Sequence, residues 1–140
     1  MISDIKALFD LGQQIIKYFE TYRSMREEDK DELCEFCRKV DYSLEHAINN
    51  LREFGGNNFS IHTSFEAGYL AAFVKHELTN RYPEIFNDKH VSLLKRAGLA
   101  ISKLERIPNL TDEERLTFID VINQARATFR VLEQQIKFLG

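Results

Sequence analysis

The stretch Thr111–Leu139, TDEERLTFIDVINQARATFRVLEQQIKFL, decides how the rest of the chain is read. Phe118, Ile122, Ala125, Phe129, Leu132 and Ile136 recur at alternating steps of four and three, which keeps one edge of a helix turned toward a neighbour. Just before this run, Thr111-Asp112-Glu113-Glu114 fits a capping box: the threonine hydroxyl accepts one free backbone N–H and the glutamate accepts another. Three acids in the first turn also suit the positive end of the helix dipole. The helix should extend almost to Gly140, about 40 Å at ~1.5 Å per residue.

The same reading works backwards along the chain. From about Asp29 to Phe54, the residues Leu33, Cys37, Val40, Leu44, Ala47, Leu51 and Phe54 repeat the four-three spacing, predicting one narrow seam on a second long helix. Gly55-Gly56-Asn57-Asn58 ends it, because glycine and asparagine accept a left-handed backbone. A first helix is expected from Ser3 to about Arg23, joined to the second by a turn between Ser24 and Glu32 that contains no helix breaker. Thr63-Ser64-Phe65-Glu66 is a second capping box, opening a segment that runs to about Arg81 before Pro83. A further segment spans about Asp88 to Arg106 and closes at Ile107-Pro108-Asn109. These five helical segments, with no convincing strand, predict an all-α fold: an antiparallel up-and-down four-helix bundle with one additional helix, forming one domain over residues 1–140.

Composition agrees with a folded helical domain and excludes several classes. Of 140 residues, 44% are hydrophobic and 29% charged, enough to build a core and to solvate its outside. With 19 basic against 22 acidic residues the net charge is −3, which argues against general nucleic-acid binding. No apolar run approaches the ~20 residues of a membrane span. Met1-Ile2-Ser3-Asp4-Ile5-Lys6 lacks the basic leader and apolar core of a secretory signal, so the expected location is the cytoplasm. Two cysteines cannot form a disulfide scaffold.

Few positions carry a chemical signature. Cys34-Glu35-Phe36-Cys37 is a CxxC, but it lies inside the second helix, where Cys37 falls on the apolar seam and Cys34 flanks it. A single pair also falls short of a four-ligand zinc site. Of the histidines His46, His62, His76 and His90, none has a glutamate three positions before it, as di-iron bundles require. No nucleophile elbow, phosphate-binding loop or His-Glu-x-x-His is present, so neither a catalytic residue nor a cofactor is expected. The segment Ala67–Val74 has almost no polar face, which suits a central helix. Its small residues Gly68 and Ala72 permit close helix packing, or leave room for a ligand pocket lined by Tyr69, Ala72, Phe73 and His76.

Two surfaces could meet a partner. The first helix is apolar on two sides, with Leu8, Leu11, Ile15, Tyr18, Tyr22 and Met25 on one and Ile2, Ile5, Phe9, Ile16 and Phe19 on the other. Both can be internal; an exposed second seam would suit a partner, a homodimer or a membrane surface. In the 88–107 segment, Lys89, Lys95, Arg96, Lys103 and Arg106 share about a third of the helical circumference, with Leu99 among them. Five basic residues against two acidic ones make that segment +3 and leave the remainder at −6. The plain account is a solvated charged face. The functional account is a binding site for an acidic protein, anchored by Leu99 and oriented by Lys95, Arg96, Lys103 and Arg106. The sequence therefore points to a non-enzymatic helical interaction module: an adaptor, an inhibitor, or a neutralising protein of the antitoxin or immunity kind. Its competitors are a small-ligand or metal-sensing bundle and a membrane-acting helical effector.

Overall fold

The computed structural model describes residues 2–21, 26–54 and 110–139, together with positions 80, 83, 87–90, 92, 93, 95, 96 and 99. The chain is all-α, and no strand occurs among the described residues. Among the described residues three helices run unbroken: α1 (Ile2–Thr21), α2 (Glu27–Phe54) and α3 (Asp112–Lys137). Apart from Asn80, which is helical, the expected segment from Thr63 to Arg81 lies outside the described residues, as do the glycine-rich break at 55–58 and most of the segment from Asp88 to Arg106.

Local chemistry sets the ends of α3. The backbone N–H of Glu114 donates to Thr111 Oγ1 at 3.1 Å and the N–H of Thr111 donates to Glu114 Oε1 at 3.2 Å, so both halves of the capping box form. At the other end, the N–H of Phe138 donates to the carbonyl of Gln134 at 3.3 Å. Helix α2 begins at Glu27, two residues before the sequence expectation, with Glu27, Glu28 and Asp29 in its first turn. Acids are favourable there, so polarity alone does not mark a turn.

Helix α3 is the shared packing partner. Gln13 Nε2 donates to Thr128 Oγ1 at 3.4 Å and Gln135 Nε2 to the carbonyl of Ile16 at 3.1 Å, so α1 and α3 run in the same direction. Across the other side, Cys34 faces Glu133 while Asp41 meets Arg126, so α2 runs opposite to α3. The close helix contacts are α1–α3 and α2–α3; the consecutive helices α1 and α2 meet at most at their margins.

The core follows from these faces. Ile122, Ala125, Phe129, Leu132 and Ile136 of α3 are buried, whereas Phe118 is only partly so. Phe129 packs edge to face on Phe36 of α2 at a centroid distance of 6.1 Å. The α2 seam is broader than its spacing predicts: Cys34, Phe36, Ser43 and Ile48 are buried beside Leu33, Cys37, Val40, Leu44, Ala47 and Leu51. A narrow four-three seam serves one neighbour, while a helix in a packed core needs a wider stripe.

In α1 neither expected seam is buried as drawn. Ile5, Leu8, Leu11, Ile15 and Phe19, taken from both, form one stripe, and Phe9, Ile16 and Tyr18 are only partly buried. The stripe includes Gly12, where an added Cβ would stand 2.5 Å from Thr128 Cγ2 and 3.3 Å from Phe129 Cε2. Only a residue without a side chain lets α1 come this close to α3.

Candidate functional site

The sequence-predicted surface is partly in view. Asn87 Oδ1 accepts the backbone N–H of His90 at 3.2 Å, a side-chain cap that starts helical structure at Asp88. His90 is buried, whereas Leu99 is helical and 61% exposed. Lys95 and Arg96, one turn earlier, are helical and exposed as well. Lys103 and Arg106 lie outside the described residues. So do Tyr69, Ala72, Phe73 and His76, the candidate pocket.

The CxxC cysteines are free and both are buried, so Cys34 belongs to the interior rather than flanking it. Its thiol points at the main chain of α3, with Sγ 3.8 Å from the carbonyl oxygen of Glu133. Burial, followed by the negative charge of Glu133, pushes the Cys34 thiol above its ordinary value. Burial pushes Cys37 up further, with additional contributions from Cys34 and Glu133. Both thiols are held protonated, opposite to the activation a redox CxxC obtains at a helix start. Among the described residues no group of three or more His, Cys, Asp or Glu side chains could hold a metal ion. Among them, too, no helix is long and apolar enough to cross a membrane.

Sequence reading did not anticipate the polar ladder between α2 and α3. Asp41 accepts from Arg126 Nε at 2.7 Å and from Arg130 Nε at 3.0 Å, while Arg126 Nη2 lies 3.6 Å from Glu45. Further along, Glu133 lies 3.4 Å from Arg38 and 3.3 Å from Lys137. The Lys30 ammonium, largely buried, donates to the carbonyl of Leu139 and so ties the end of α3 to the start of α2. Apart from Glu133 and Lys137, one turn apart on α3, these partners are more than eighty residues apart in sequence, and only packing brings them together. They align the helices.

A second exposed apolar surface also went unread. Leu116 and Val131 of α3 and Phe138 at its C-cap are 65%, 57% and 84% exposed. Beside them, a groove of about 390 Å³ runs between α1 and α3, lined by Phe9, Ile16, Ala127 and Val131 with Gln13, Gln124 and Thr128. The signal in the sequence was the eleven-residue interval from Leu116 to Ala127 to Phe138, three turns at 3.67 residues each. No protein-family model matches the chain, and no curated protein or solved structure matches it.

Proposed function

We propose that this chain is a non-catalytic protein-binding module that takes an acidic partner onto the helical surface carrying Leu99. The observation behind this reading is Leu99 itself, a large apolar side chain 61% exposed one turn beyond exposed Lys95 and Arg96. An apolar anchor surrounded by cations divides the work of recognition. Leu99 supplies desolvation in a pocket of the partner, and Lys95, Arg96, Lys103 and Arg106 supply steering and orientation. The proposed scaffold is an antiparallel up-and-down four-helix bundle with one additional helix, working in the cytoplasm as an adaptor, inhibitor or neutralising protein.

The test compares affinity capture from native lysate by the parent chain and by Leu99→Glu, with Lys95→Glu/Arg96→Glu as a charge control. The expected result is loss of a specific acidic partner with Leu99→Glu, at unchanged helicity and melting temperature. The charge control should slow association most at low salt. Equal capture of that partner by Leu99→Glu would overturn the reading.

A further inference from the structure

The outer face of α3 is exposed, and its composition says what can cover it. Along about 33 Å from Leu116 to Phe138, Leu116, Asn123, Gln124, Ala127, Val131, Gln134 and Phe138 are all exposed; Asp120 lies among them, and Arg130, paired with Asp41, lies at their edge. We infer that a second copy of this chain covers this face, with α3 packed antiparallel on α3 about a two-fold axis beside Ala127.

Three observations single out a second copy. First, the register is self-matching: Leu116 and Phe138 stand eleven residues either side of Ala127, so reversing the helix about that residue puts Leu116 level with Phe138 of the other copy. Small Ala127 then meets itself at the axis, Asn123 lies level with Val131, and Asp120 lies level with the Gln134 amide, which can donate to it. Second, a residue on a two-fold axis faces its own duplicate, so a charge there repels itself. Ala127, at the axis, carries none; Arg130, at the edge of the strip, lies level with Gln124 of the other copy, whose amide oxygen can accept from it, and the Asn and Gln side chains both donate and accept. Third, the ends are complementary. Exposed Asp112 and Glu113 begin the helix and Lys137 ends it, so antiparallel pairing sets the acidic start of each copy beside the basic end of the other.

The groove between α1 and α3 opens onto the same face beside the axis, where Phe9 and Ile16 extend the apolar area. A helix face of this length and ~10 Å width offers on the order of 350 Å² per copy, less than the ~800 Å² of a standard interface. Pairing through this face alone is therefore expected to be weak.

Sedimentation equilibrium of the full chain from about 5 to 500 µM, high enough to populate a weak dimer, reads the result. The parent chain should shift from monomer to dimer mass, and Ala127→Arg should remain monomeric with unchanged helicity. Leu116→Glu and Phe138→Lys should each weaken pairing by at least about tenfold, while the double variant restores it, because the new charges meet only between copies. Within one copy they are about 33 Å apart and cannot pair. Leu99→Glu should leave self-association unchanged, so this inference and the proposed partner site fail independently. A monomer throughout would overturn the inference, as would a dimer indifferent to Ala127→Arg, a double variant that does not recover, or a dimer lost with Leu99→Glu.

Discussion

Gly12 of α1 lies directly against Thr128 of α3, so close that a Cβ on the glycine would stand 2.5 Å from Thr128 Cγ2. Thr128 cannot easily turn aside. Its hydroxyl donates to the carbonyl of Gln124 at 3.0 Å and accepts from Gln13 Nε2 at 3.4 Å, and a branched side chain on a helix has few rotamers.

Gly12→Ala therefore sets two effects against each other. Alanine gains about 1 kcal/mol of helix propensity, but overpacking costs roughly 1–3 kcal/mol. The obstacle is a locked side chain, so a net destabilisation of about 1–2 kcal/mol is expected in urea unfolding. Thr128→Ser removes the clashing methyl and keeps the hydroxyl. Combined with Gly12→Ala, it should recover most of the loss, and a double variant no better than Gly12→Ala alone would show that the clash lies elsewhere.

The two arginines on Asp41 should contribute unequally. Arg126 and Asp41 are both mostly buried, whereas the Arg130 side chain is 60% exposed. Double-mutant cycles to alanine should give a coupling of about 1–2 kcal/mol for Asp41 with Arg126, and below ~0.5 kcal/mol for Asp41 with Arg130. High salt should erode the second coupling before the first.

The buried thiols predict a loss of stability at alkaline pH. Their folded-state values are raised, so below the ordinary thiol value near 9.0 both states are protonated and the stabilisation is complete. Above it the unfolded chain ionises while the folded chain does not, and stability falls by up to about 1.4 kcal/mol per pH unit for each thiol. Urea titrations between about pH 7 and pH 10 should show this slope, and Cys37→Ala should flatten it. A native-state thiol reagent should label Cys34 before Cys37, which is the more strongly shifted of the two.

Removing the α3 cap should have a local cost. Thr111→Ala should destabilise by about 1 kcal/mol, and Thr111→Ser by only a few tenths, because serine retains the accepting oxygen. Hydrogen exchange should locate the change in the first turn of α3, which the Thr111–Glu114 box holds.

How much was legible depends on the range of the interaction. Helix type, the Thr111–Glu114 box and most of the α3 stripe could be read directly, since a cap spans three residues and a stripe repeats every three or four. The width of the buried face could not. Cys34 looked like a flanking thiol because a four-three seam assumes one neighbour, and in α1 the core drew on both expected seams.

The sequence by itself determined that the chain is helical, where α3 starts and which edge of it is oily, because caps, dipoles and apolar spacing act within a few turns. Only the tertiary structure decided that α3 is the partner of both α1 and α2, that Gly12 admits Thr128, and that Asp41 gathers Arg126 and Arg130. Those relationships join residues 85 to 119 positions apart, and no local periodicity encodes which distant helix will exclude water from a given face.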